Sequence, residues 1–202
     1  MPAKVERNGP SVRFHGRSIS SVPTTFRVDA DVFEAVSSLA EKEKTSVNAV
    51  ANRALRRYIE WEVFAEKFGL LSITSGTITK LFDTLTDKQA REMGENYGNS
   101  LAPELITFWF KKFDFPTVLK ALDLLGSKYG RLFQFDYVSD GDVYTLFIRH
   151  EKGRKHSLYY EEAAKALFGR LGIKPEISLT ESQVTLTISK EEIHKAGRHN
   201  HG

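Results

Sequence analysis

The sequence predicts an α+β fold, and the changing spacing of its apolar residues carries that prediction. Residues 24–28 alternate between apolar and polar, as in a half-buried strand, and the whole middle of the chain then has helical spacing. Alternation returns over 131–138 and 143–150, on either side of "SDGD", whose Asp-Gly pair favours a hairpin turn. A helical segment and a second hairpin, over 176–180 and 183–189, complete an expected C-terminal ββαββ domain with an antiparallel sheet.

The composition is that of a folded protein without cysteine chemistry. The chain has 202 residues, of which 41% are apolar, and it contains no cysteine. A disulfide framework, a thiolate metal site and a cysteine nucleophile are therefore excluded. The longest strongly apolar stretch, "LITFWF" over 105–110, is too short to span a bilayer. We expect a cytoplasmic protein with no membrane partner.

The excess positive charge lies in the first 22 residues. The formal net charge of the chain is +3, and residues 1–22 alone hold four basic side chains against Glu6, which gives 4 − 1 = +3. Such an arm is either a solvated tail or a segment that contacts nucleic acid phosphates. We predict a flexible basic arm over 1–22 that contacts DNA through Arg7, Arg13 and Arg17.

The lone N-terminal strand requires a partner, since its backbone groups cannot be satisfied alone. A second copy of the chain can supply the partner and form a two-stranded antiparallel ribbon. Phe26 and Val28 would then face the helices, while Thr25 and Arg27 would face outward. A two-stranded ribbon fits the major groove of B-DNA, where arginine pairs with guanine and threonine contacts base edges.

Two helices are expected after this strand. Asp29 and Asp31 begin the first, which extends to about residue 43 and suits the helix dipole at its start. Ser46 caps the second, which is expected to continue to Phe68, with Gly69 ending it. The second helix begins "TSVN" and has no acid in its first turn, so its N-terminal amides are open to an anion such as a phosphate.

Residues 24–58, "TTFRVDADVFEAVSSLAEKEKTSVNAVANRALRRY", resemble the ribbon-helix-helix DNA-binding proteins of the Arc and methionine-repressor type. The resemblance implies an intertwined homodimer over 23–68, in which the ribbon contacts bases and the start of the second helix holds a phosphate. By position, Thr25 and Arg27 inherit the base contacts. The phosphate contacts pass to Lys44, Thr45, Ser46, Val47 and Asn48. Lys44 departs from the family, whose turn often holds glycine there, and a left-handed lysine costs roughly 1 kcal/mol.

The sequence gives less specific evidence for the role of residues 70–190. We expect an α+β domain that senses an unidentified small-molecule effector or joins dimers into tetramers. In the nickel-responsive members of the resembled family the metal site includes a cysteine, so that site cannot be transferred to this chain. His150 and His156, with Tyr159 or Glu161, could bind a metal or an anion, although the sequence favours a solvated loop. Residues 191–202 are expected to be a frayed tail.

The function expected from these features is sequence-specific transcription regulation by a nucleoid-associated homodimer that binds double-stranded DNA. The alternatives are an antitoxin, which would wrap a toxin with a short tail, and a nucleoid-architectural protein with little sequence preference. A DNA-linked enzyme is less favoured, because no Gly-rich phosphate loop, G-x-S-x-G motif or paired-carboxylate constellation is present. We expect no catalytic residue, no metal and no cofactor.

Overall fold

The structure is a computed structural model that describes residues 21–199, and the chain divides into two compact units, Met1–Arg53 and Ala54–Gly202. The sequence places the boundary after residue 68. The observed boundary lies earlier because Trp61, Phe64 and Phe68 pack against the core of the second unit.

The first unit contains helix α1 (Ala30–Lys42) and most of helix α2 (Val47–Arg57), which continues into the second unit. Residues 21–29 have no regular secondary structure and no strand pairs with them in the described part of the chain. The strand predicted over 24–28 is therefore not formed within one chain, and the ribbon stays a prediction. A strand of this length needs a hydrogen-bonded neighbour.

The turn between α1 and α2 has the geometry expected from the sequence. Lys44 adopts a left-handed conformation with φ 52°. The Thr45 amide donates to the Ala40 carbonyl at 2.9 Å and the Lys44 amide donates to the Glu41 carbonyl at 3.1 Å. These two bonds form a Schellman motif, which satisfies the last carbonyls of α1 at a position where glycine is usual.

The second unit begins with a helical region in which three stretches widen into π-helix. In chain order its elements are π-helical Tyr58–Glu62, α3 (Val63–Phe68), α4 (Ser75–Asp83), α5 (Asp87–Asn96), π-helical Tyr97–Leu101, α6 (Ala102–Phe110), α7 (Phe115–Ala121) and π-helical Leu122–Tyr129. The predicted end at Gly69 is confirmed, since Gly69 ends α3 with φ 78°. The sequence "TDKQ" over 86–89 predicts a capping box, and Thr86 and Gln89 form it at the start of α5.

The C-terminal part of the second unit confirms the predicted α+β fold and its ββαββ order. Its elements are β1 (Gln134–Asp140), β2 (Val143–Arg149), α8 (Arg154–Gly169), β3 (Glu176–Leu179) and β4 (Gln183–Ser189). The four strands form one antiparallel sheet in the order β1-β2-β4-β3.

Alternation along the strands places one face of the sheet in the core. Leu146 lies opposite Leu186, and Ile148 lies opposite Val184 across the β2–β4 pair. These four side chains are buried in one cluster with Phe168 of α8. Helix α8 also packs along α5 and the π-helical segment that follows α5, so it joins the sheet to the helical region.

Near the C-terminus the structure differs from the frayed tail that the sequence predicts over 191–202. Helix α9 (Lys190–His199) follows β4 directly, and its first turn is held by the Glu192 amide donating to the Ser189 hydroxyl. Ile193 and Ala196 pack against the core of the second unit, and this packing explains why the segment is helical. Within residues 21–199, no helix combines the length and the apolar character that a membrane span requires.

Candidate nucleic-acid interface

The two expected base-contacting residues are accessible. Thr25 and Arg27 are exposed on the segment that precedes α1. Within the described residues, no carboxylate pairs with the Arg27 guanidinium. No group of the described chain occupies its five N–H donors, which leaves them available there for the bidentate contact that guanine requires.

The expected phosphate-binding residues surround the start of α2. The Ser46 hydroxyl accepts the Ala49 amide at 3.1 Å, which is the N-cap bond predicted from the sequence. The amides of Val47 and Asn48 come before the first intrahelical donor and have no partner among the described groups. Lys44 is exposed two residues before the cap, and its charge would add to the positive end of the helix dipole.

Other contacts at this helix start limit what the side chains can do. The Asn52 side-chain Nδ2 donates to the Asn48 backbone carbonyl at 2.9 Å and to the Asn48 side-chain oxygen at 3.0 Å. Asn48 therefore offers a phosphate its backbone and side-chain N–H donors. Arg53 pairs with Glu43 at 2.5 Å, so this cation of α2 is already neutralised within the first unit.

The structure gives no direct link between the two expected contact groups. No hydrogen bond or ion pair joins Thr25 or Arg27 to residues 44–48 in the described part of the first unit. Arg7, Arg13 and Arg17 of the expected basic arm lie outside the described residues.

The first unit leaves most of its large apolar side chains exposed in the single chain. Phe26 is 66% exposed and Phe33 is 53% exposed. Val28, Val32 and Leu39 are also exposed. The buried apolar residues among the described part of this unit are only Ala40 and Val50, and two small side chains are far too few to form a core.

The two histidines singled out in the sequence do not lie on a solvated loop. His150 is 6% exposed and His156 is 2% exposed. The Lys152 amide donates to His150 Nδ1, so His150 Nε2 carries the proton and donates to the Ser157 hydroxyl at 3.0 Å. Burial, with the nearby His156 and Lys152, lowers the pKa of His150 to about 4.

His156 is held differently. Its Nδ1 bonds the Lys152 carbonyl at 3.0 Å, and its ring stacks on Phe82 with the centroids 3.9 Å apart. Its Nε2 is buried and has no hydrogen-bond partner among residues 21–199. The described residues contain no cluster of three or more His, Cys, Asp or Glu side chains that could hold a metal ion. Glu161 pairs with Arg91 and Lys165.

The second unit also contains a large cavity that the sequence gives no sign of. Its volume is about 860 Å³, and its walls come from the helical region, α8 and the segment before β1. The side chains around it lie up to 111 residues apart along the chain, from Arg57 to Phe168. Apolar spacing identifies faces of single elements, so it cannot show that several such faces enclose an open space.

Comparison with models of known protein families finds no match to this sequence, and comparison with curated proteins finds no match either.

Proposed function

We propose that the protein is a sequence-specific, DNA-binding transcription regulator that acts as a homodimer through residues 23–68. The observation that carries the proposal is the exposed apolar surface of the first unit. Phe26, Val28 and Phe33 lie at positions that a ribbon-helix-helix dimer would bury against its twin, and each is more than half exposed in the single chain. Burying these side chains in a dimer removes the free-energy cost of exposing them to water. An isolated unit of this size has too small a core to offset that cost.

The segment before α1 supports the same arrangement. Its backbone groups over 24–28 have no strand partner in the described chain, so an identical segment from a second subunit can pair with those along one edge of the strand. Pairing would set Phe26 and Val28 on one face of the ribbon. Thr25 and Arg27 would occupy the opposite face, toward the floor of the major groove.

The start of α2 supports a backbone contact beside the ribbon. Two unbonded amides, a capping serine and an exposed lysine form a cluster of hydrogen-bond donors with no acid in the first turn. A DNA phosphate is an anion that such hydrogen-bond donors bind. Such contacts fix the position of the protein on the duplex, while the ribbon supplies sequence preference.

The proposal is tested by selecting bound sequences from a random duplex library with the full-length protein. We expect enrichment of a site with two related half-sites, because a two-fold symmetric dimer contacts DNA twice. Binding without any enriched motif would favour the nucleoid-architectural alternative. No binding at low salt, where phosphate contacts are strongest, would exclude both.

A further inference from the structure

We infer that the cavity in the second unit is a binding site for an amphipathic organic anion, with an apolar body and one acidic head group. The site stands on the geometry of the second unit alone. It does not depend on DNA binding by the first unit, and its test contains no DNA.

The size and lining of the cavity indicate an apolar ligand. Its volume of about 860 Å³ is within the usual range of roughly 300–1,000 Å³ for small-molecule sites. Protein interiors are otherwise close-packed, so a space of this size is not an ordinary packing defect. Its walls are mainly leucine, isoleucine, alanine and aromatic side chains, which can pack against the hydrocarbon part of a ligand.

The charges around the cavity are of one sign. Arg57, Arg131 and Lys152 line it, and none of its lining residues is Asp or Glu. Arg57 is paired with Glu62 at 2.8 Å. Arg131 and Lys152 have no carboxylate partner among the described residues. The cavity therefore offers two uncompensated cations to whatever enters it.

The Lys152 side chain reaches the chain segment that carries Arg131. The Lys152 ammonium donates to the carbonyl of Leu132 at 2.5 Å, and Leu132 directly follows Arg131 in the chain. Arg131 has φ 53°, a left-handed conformation that costs a residue with a side chain about 1 kcal/mol. Burial lowers the pKa of Lys152, as expected for a cation held without a counter-charge. A carboxylate or sulfonate head group would supply that charge.

Unpaired polar groups in the wall agree with an occupant. His156 Nε2 is buried without a hydrogen-bond partner, and the hydroxyls of Tyr97 and Tyr159 bond no group in the described chain. All three residues line the cavity. Of these groups His156 Nε2 is the buried one, and leaving it unpaired costs free energy that a ligand or its accompanying water would reduce.

The test is calorimetric titration of the full-length protein with decanoate, and with decan-1-ol as an uncharged ligand of equal chain length. We expect one decanoate bound per chain, at least tenfold more tightly than the alcohol. An Arg131→Gln, Lys152→Gln double variant should bind decanoate at least tenfold more weakly and no longer distinguish it from the alcohol. Lys174→Gln removes an exposed charge outside the cavity and should bind as the parent does.

Folding of each variant is checked by circular dichroism, and the double variant should still bind decan-1-ol, which shows that its cavity remains intact.

Three results would overturn the assignment. These are no binding of decanoate up to millimolar concentration, equal binding of the acid and the alcohol by the parent protein, or equal loss of decanoate affinity in Lys174→Gln and the double variant.

Discussion

At the scale of single residues, Arg27 matters most for the proposed function, since it combines exposure with the absence of an ion pair in the described chain. Arg27→Ala should weaken binding to the selected DNA site by about 1–3 kcal/mol and relax the preference at one base position in each half-site. Fluorescence anisotropy with the selected duplex and with single-base variants of it measures both effects.

Arg27→Lys is the matched control, because it keeps the charge and loses the planar fork that pairs with guanine. It should retain affinity for random duplex while losing most of the base preference. If the lysine variant keeps the full preference, Arg27 contacts phosphate and another residue contacts the bases.

His150 gives a second prediction at this scale. Its folded pKa of about 4 lies below the ordinary value of 6.5, so the unfolded chain binds more protons between these two pH values. Stability should therefore fall as the pH decreases from 7 to 5, by about 1–2 kcal/mol from this group. Urea denaturation at the two pH values measures the loss.

His156 contributes in the same direction, since burial also lowers its pKa. In His150→Gln the stability difference between pH 7 and pH 5 should shrink without vanishing. An unchanged difference would mean that His150 is protonated as readily in the folded protein as in the unfolded chain.

At the scale of elements, α5 packs closely against α8. A Cβ atom added at Gly94 would lie 2.2 Å from the Tyr159 carbonyl oxygen, which belongs to the rigid backbone of α8. Gly94→Ala should therefore force the two helices apart and destabilise the protein by about 1–3 kcal/mol.

Gly76→Ala in α4 is the control, since an added Cβ there meets nothing within 4 Å. It should be neutral or stabilise by up to about 1 kcal/mol, because alanine favours helix over glycine. The midpoint of urea unfolding, followed by circular dichroism, compares the two variants. Equal effects would show that α5 can shift away from α8 without cost.

Local chemistry explains which elements could be predicted. The Asp-Gly turn after β1, the Thr86–Gln89 capping box and the left-handed Lys44 each depend on a few neighbouring residues. The order of the sheet, the burial of His150 and the helical tail depend on contacts between distant residues. The π-helical widening also left no signal in the apolar spacing.

The candidate sites also differ in whether neighbouring or distant residues form them. The cap at Ser46 and the open amides after it follow from residues 44–49 alone. Arg131 and Lys152 are 21 residues apart, and only the folded second unit brings both to one cavity. Their relation could not be inferred from the chain order.

At the scale of the whole molecule, we predict a dimer. Sedimentation equilibrium should give twice the chain mass of 22.9 kDa. Phe33→Glu should shift the protein to monomer and abolish specific DNA binding, because a charge would have to be buried between the subunits. Val138→Glu, at a half-exposed position of β1, should leave the dimer intact. A monomeric parent protein at micromolar concentration would contradict the proposed ribbon.

The two tryptophans of the chain give these measurements an internal reporter. Trp61 and Trp109 both belong to the second unit, with their rings 5.4 Å apart, and residues 1–53 contain no tryptophan. Tryptophan fluorescence therefore reports the thermal unfolding of residues 54–202 and does not report that of residues 1–53. Far-ultraviolet circular dichroism also reports the unfolding of α1. A difference between the melting temperatures from fluorescence and from circular dichroism would show that the two units unfold at different temperatures.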